Sequence, residues 1–348
     1  MRDGPSAETQ LAFLGKIERL LSQGRFTTTY KFALLIALTN LAVEKGEDTN
    51  AELKLDVEDI ARQFLALYWG MARPYPGLDR VLDQSTNRAK PSSMITLLGG
   101  AVELGQSSYA RLRVYRARHD ALITKAVATL KKDVLHRLQA IGAATAAVPT
   151  ADCFLYASPK NARESTAAKS FTLKSGVSAC LRQLRGVILA MVEARWARWV
   201  RERNQDLGPD RALESFLFGA VRSGVTMHAA ALYDLQNGRC FYSSERLASP
   251  TAGEVDHFVP WSRYPCDSPF NLVLATRKVN NAKRDMLAAE HHRKEWLARN
   301  DRESTALTST TFMALASDKQ TVQSIADWIY AANARAGHAR LFSALRSA

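Results

Sequence analysis

The sequence predicts a mainly α-helical protein that carries one short β-containing module, and three observations predict it. Apolar residues recur at helical spacing from Leu11 to Val221. Short runs of the kind that form strands gather between Cys240 and Ala275. The polar residues best suited to chemistry, Asp256, His257, Asn271 and Asn280, fall in or beside that same stretch.

Taken in order, Glu8 to Gln23 places Leu11, Leu14, Ile17, Leu20 and Leu21 on one helical face and stops at Gly24. Thr27 to Thr29 are expected to cap a second helix, Tyr30 to Glu44, whose apolar content implies burial on most sides. A third, from about Val57 to Ala72, carries Ile60, Phe64, Tyr68 and Trp69 and ends before Pro74. Gln84 to Pro91 reads as a loop, and Ser92 to Leu104 as a helix weakened by Gly99 and Gly100. The longest expected helix, Ser108 to Ile141, has Leu112, Leu122, Leu130 and Leu138 on one face. Its other face carries Arg111, Arg113, Arg116, Arg118, Lys125, Lys131, Lys132 and Arg137.

Gly142 to Thr150 reads as a linker, and Cys153 to Ala157 and Phe171 to Leu173 as short strands. Arg185 to Arg203 is a helix with Trp196 and Trp199 in its core face. Asp210 caps another through Val221, ended by Gly224. Ala229 to Gln236 is a short helix that runs into the turn Asn237-Gly238 and an expected hairpin. Glu254 to Val259 and Leu272 to Ala275 are strands, and from about Arg277 a helix is expected to continue toward Asn300. His291 and His292 are expected on its exposed surface, and a last helix spans roughly Thr321 to Ala336. This divides the chain into a helical region (1–224), the module (225–300) and a C-terminal helical extension (301–348).

The 348 residues are 47% hydrophobic, which excludes a largely disordered chain and requires a substantial core. The formal charge of +13 calls for a polyanionic partner, because so many like charges repel unless neutralised. The longest apolar run, Phe32 to Leu38, is far short of the eighteen or so residues of a spanning helix, so no membrane is expected. The segment MRDGPSAETQ lacks the apolar stretch of a signal peptide. Cys153, Cys180, Cys240 and Cys266 form no CxxC pair, as in a cytoplasmic protein with reduced thiols. Nucleic acid is therefore the expected partner.

Within the module, Asp256 and His257 are adjacent on a strand and so point to opposite sides of it. Asn271 lies fourteen positions after His257 and Asn280 nine further on. The strings VDHFVPWSRYP, NLVLA and NNAKRD, preceded by GRCFY, resemble the HNH endonuclease family in its form with Asn in the last motif position. The helical text upstream, TYKFALLIALTNLAVE, LYWG and FLFG, resembles the N-terminal region of bacterial proteins of that group.

The resemblance implies a ββα-metal module embedded in a mainly α protein. It also implies a metal-dependent endonuclease acting on DNA, in bacterial defence against phage or plasmid and with a protein partner of such a system. An RNA-cleaving nuclease and a non-catalytic nucleic-acid-binding module are the alternatives. In the roles implied, Asp256 and Asn280 hold one divalent cation, Mg²⁺ or Mn²⁺, through hard oxygens. His257, an imidazole with an ordinary pKa of roughly 6.5, is the general base. Asn271 orients the His257 ring, and Arg263, Lys283 and Arg284 face phosphate. Arg111, Arg113, Arg116 and Arg118 add a phosphate-backbone track. Many family members hold a structural zinc with two CxxC pairs. Here those positions read Cys240 and Ser243, then Thr276 and Val279, so no structural zinc is expected. Packing by Phe241, Tyr242, Phe258 and Trp261 is expected to hold the module instead.

Overall fold

The computed structural model describes residues 4–87, 92–103, 115–141, 153–159, 162–208, 212–219, 225–309, 312, 318–337 and 341–344. The chain separates into two compact units, residues 1–219 and 220–348. It is mainly α-helical, as the periodicity requires, with two small antiparallel sheets among the described residues.

The first unit opens with α1 (Ala7–Gln23), where the Ser6 hydroxyl accepts from Thr9 N at 3.2 Å, and Phe13, Ile17, Leu20 and Leu21 are buried. Its central element is α2 (Tyr30–Lys45), buried around most of its circumference. Thr29 does not cap α2 through its side chain. Its hydroxyl lies 2.6 Å from Tyr68 Oη and donates to Gln84 Oε1 at 2.9 Å, and Trp196 Nε1 donates to the same oxygen at 3.0 Å. A polar residue at a helix start is here drawn into the core because buried polar atoms need partners there.

The chain continues through β1 (Leu53–Asp56), α3 (Val57–Trp69), α4 (Ser93–Glu103), α5 (Arg116–Asp133), α6 (Ala162–Ala167), β2 (Ser170–Leu173), α7 (Val177–Gln183), α8 (Arg185–Arg203) and α9 (Ala212–Phe218). A single 3-10 turn, Gly70–Ala72, follows α3. β1 and β2 pair antiparallel, Leu53 opposite Leu173. The buried Arg182 of α7 donates to the carbonyls of Ala42, Val43 and Gly46 and pairs with Asp48 at 2.9 Å. Val43 O is thereby satisfied where the α2 ladder ends, while Ala42 O also accepts from Gly46 N.

Two further expectations are corrected in this unit. The long basic helix stops at Asp133: Leu130 O accepts from both Val134 N and Leu135 N, and Leu135 O takes the Tyr156 hydroxyl at 2.8 Å. The chain continues in turns, with Arg137 N and Leu138 N both donating to Val134 O. Of the strand expected at Cys153 to Ala157, only a bridge from Tyr156 to Leu173 forms. Within the helix expected from Asp210 to Val221, α9 covers Ala212–Phe218, and Asp210, Ala220 and Val221 lie outside the described residues. Arg118, Lys125, Lys132 and Arg137 are exposed, Arg116 opens α5, and Arg111, Arg113 and the linker 142–150 lie outside the described residues. No described helix is long and apolar enough to cross a membrane.

Lys31 makes this unit sensitive to pH. Its Nζ donates to Ala140 O at 3.1 Å and sits 5.6 Å from the Phe26 ring centre. Burial, and secondarily the charge of Arg137, lower its pKa from 10.5 to about 8. Between these values the unfolded chain holds the proton that the folded chain has released, so the wild type gains stability as pH rises through this window. Urea unfolding of the full chain is expected to show the wild type gaining about 1–3 kcal/mol on Lys31→Met between pH 8 and pH 10. A difference that stays constant with pH would contradict the assignment.

The second unit comprises α10 (Ala229–Leu235), β3 (Gly253–His257), β4 (Leu272–Thr276), α11 (Arg277–Lys283), α12 (Glu290–Arg302), α13 (Ser304–Leu307) and α14 (Lys319–Arg335). β3 and β4 pair antiparallel with Val255 opposite Leu274, and α11 follows directly, which is a ββα arrangement. The expected hairpin after Asn237-Gly238 reduces to one bridge, Arg239 to Arg246. Both turn residues have positive φ, 52° and 66°, and Phe241 N donates to Leu274 O, which ties the segment to β4.

Phe241, Tyr242 and Phe258 do pack together, and Phe258 stacks on Trp296 with centroids 4.5 Å apart. Trp296 was not among the expected packing residues. α12 further covers the Pro269–Asn271 turn: Trp296 Nε1 and Asn300 Nδ2 donate to Phe270 O, and Arg299 donates to Leu272 O. Residues 301–348 belong to this same unit. Leu287 O accepts from Phe342 N, and Phe342 O accepts from Ala289 N.

Candidate active site

The end of β3, the start of α11 and the loop between the strands meet at a cleft of about 520 Å³. It is lined by Val255, Asp256, His257, Pro260, Trp261, Ser262, Asn280, Asn281, Arg284 and Asp285. Asp256 and His257 diverge, as strand alternation requires, yet both reach this one cleft because β3 ends at His257.

Asp256 is buried, and its Oδ2 accepts from the Tyr242 hydroxyl at 2.7 Å and pairs with Lys283 Nζ at 3.0 Å. Burial, with Asp256 beside it, holds the Tyr242 phenol well above its usual pKa, so it stays a donor. Lys283, expected to face phosphate, is instead fully buried; its ammonium also donates to His257 O at 3.0 Å. Its stem lies on the inner face of α11, and the pairing with Asp256 compensates the charge there.

Asn280 donates through Nδ2 to Glu254 Oε2 at 2.8 Å, and Arg277 donates to the other oxygen of Glu254. This fixes the amide so that the NH₂ side is committed and Oδ1 is the side left to face a cation. α11 ends abruptly at Arg284, with φ 51° and ψ −122°, a conformation sparsely populated by a non-glycine residue. The continuous helix expected from Arg277 toward Asn300 is therefore two helices, and the break turns Arg284 and Asp285 to the cleft. Arg284 and Arg263 are both exposed, and only Arg284 lines the cleft.

His257 does not take its ring partner from Asn271. Its Nε2 lies 2.7 Å from Asp267 Oδ1, and its ring packs 5.1 Å from Trp261. Asn271, completely buried, acts on the backbone: Oδ1 accepts from Val259 N at 2.8 Å, and Nδ2 donates to Val259 O and Cys266 O. It closes the loop after His257 and so sets where Asp267 stands. Asn271→Asp keeps the acceptor for Val259 N but turns a carboxylate oxygen toward two carbonyls. It is expected to destabilise the protein by roughly 2–5 kcal/mol in urea unfolding, at least as much as Asn271→Ala. Tolerance of Asp there would show that the amide does not clamp this loop.

Asp267 and Glu254 were missed as site residues. Asp267 is followed by Ser-Pro, the composition of an ordinary turn, and no spacing rule links it to His257. Glu254 lies two residues before Asp256 on the same strand face, a period-2 signal that points to it. His292, expected at the surface, is buried against Tyr242 and Phe342, whereas His291 is exposed. Cys240 Sγ accepts from Thr276 N at 3.4 Å, and the Thr276 hydroxyl accepts from Val279 N, so positions aligned with the two cysteine pairs still meet.

Asp256 and Asn280 fit a hard divalent cation: a carboxylate and an oriented amide oxygen border one polar cleft, with room for water and phosphate oxygens. Among the described residues no cluster of three or more His, Cys, Asp or Glu side chains that could hold a metal ion is present.

Comparison with protein families agrees with this architecture. The HNH endonuclease family model matches residues 240–289, which span the Cys240 turn, both strands and α11. A second model, a domain of unknown function (DUF8808), matches residues 10–216. No curated protein and no solved structure matches the chain. The chain thus belongs to the DUF8808 family, whose domain covers more than half of its length, and carries an HNH endonuclease-family domain after it.

Proposed function

We propose that the protein is a metal-dependent endonuclease that hydrolyses DNA phosphodiester bonds, with Mg²⁺ or Mn²⁺ as its cation. The observation that supports this most is the convergence of Asp256, His257, Asn280 and Arg284 on one cleft. Asp256 and Asn280 would hold the cation, which when bound supplies charge stabilisation at the scissile phosphate. His257 takes a proton from the attacking water, and Arg284 at the rim meets the phosphate charge. The exposed Arg118, Lys125, Lys132 and Arg137 offer the helical domain a surface for the backbone of the same polyanion. A role in bacterial defence, with a partner protein of such a system, follows from the resemblance of the motif text.

The test is cleavage of supercoiled plasmid and of single-stranded RNA by the full chain in Mg²⁺, Mn²⁺ and EDTA. Plasmid nicking or linearisation in either metal and none in EDTA is the expected result. Preferential cleavage of the RNA would move the substrate to RNA. Binding of both without cleavage in any metal would overturn the enzymatic reading.

A further inference from the structure

Resting on the nuclease reading above, we infer that Asp267 is a positioning residue for the proton-accepting step. It holds Nε2 of His257 and so assigns Nδ1 as the atom that takes the water proton. The Nε2 to Oδ1 distance is 2.7 Å, and the two side chains are only 11% and 17% exposed, so the contact is weakly screened and well localised.

The loop that presents Asp267 is itself anchored. Phe258 N donates to Asn271 O at 2.7 Å, Asn271 N donates to Ser268 O at 2.8 Å, and the Asn271 side chain clamps Val259 and Cys266. Trp261, tilted 57° to the imidazole, limits rotation of the ring. A carboxylate can only accept, so the nitrogen facing it carries the hydrogen. A neutral imidazole has a single N–H, which leaves the lone pair on Nδ1. A base oriented by a third group in this way is a recurring catalytic arrangement.

In the step itself one O–H bond of the attacking water breaks and its proton goes to Nδ1. The electron pair forms the new bond to phosphorus as the P–O bond to the departing sugar oxygen breaks, and that oxygen takes a proton from solvent. A structural ion pair would differ in one readable way: a doubly protonated ring has no lone pair for the proton.

The decisive experiment combines ¹⁵N NMR of the His257 ring in the metal-free full chain at pH 8 with steady-state cleavage by Asp267→Asn. The Asn side chain fills the same space but can turn either an oxygen or an NH₂ to the ring. The wild type is expected to show the Nε2–H tautomer. Asp267→Asn is expected to show a mixed or reversed population, with kcat lower by about 10- to 100-fold, KM within about twofold and unchanged melting. An Nδ1–H or doubly protonated ring in the wild type, or wild-type kcat in Asp267→Asn while His257→Ala is inactive, would overturn the inference alone. Full activity of His257→Ala would overturn the assignment of His257 as the base and the inference with it, whereas absence of cleavage by the wild type in either metal would overturn the nuclease reading itself.

Discussion

His257→Ala is expected to lower plasmid cleavage by about 10²- to 10⁴-fold in Mg²⁺ or Mn²⁺, the range that general-base catalysis contributes. The side chain stands at the edge of the cleft, packed on Trp261 and bonded to Asp267, while His257 O remains to accept from Lys283. Its truncation therefore removes the base without removing the backbone contact that holds β3 to α11. DNA binding in EDTA and the melting temperature are expected to stay close to those of the wild type. Gel cleavage, a binding isotherm and a melting curve on the same preparation separate these quantities. Cleavage at the wild-type rate would show that another group accepts the proton.

Lys283→Met is expected to destabilise the protein by about 3–5 kcal/mol, the cost of breaking a buried pair and leaving a carboxylate without its cation. The ammonium is fully buried, 3.0 Å from Asp256 Oδ2, and donates to the strand end at His257 O. A surface lysine on α11 would change stability by no more than about 0.5 kcal/mol. Removing the charge on both sides separates the effects: Lys283→Met with Asp256→Asn is expected to be more stable than Lys283→Met alone. Urea unfolding followed by tryptophan fluorescence measures all three. A small loss in Lys283→Met would show that the pair is solvated, and failure of the double variant to recover would trace the loss to packing.

These two residues show where sequence reading succeeds and where it stops. The helical regions at Glu8 to Gln23, Tyr30 to Glu44 and Arg185 to Arg203 are legible because each buries a stripe of its own residues, and periodicity records that stripe. The strands around Asp256 and Leu272 are legible for the same local reason, as is the order strand, strand, helix. Asp256, His257 and Asn280 are legible because their identity and spacing form a motif, and the structure brings all three to one cleft. The helix break at Arg284 is not, since a strained backbone angle leaves no mark in composition. Lys283 resembles its neighbours Lys278 and Arg284 in sequence, and only the position of Asp256 across the fold makes it interior.

The mainly α class, the ββα module and the chemical types available at its cleft follow from local pattern and residue identity. Which side chain faces which was decided only by the tertiary structure: Asp267 on His257, Glu254 on Asn280, Tyr242 and Lys283 on Asp256, Asn271 on the loop. The physical reason is that a buried polar group must find a partner, and the partner is chosen by distance in space, over chain separations of 10 to 27 residues for these contacts.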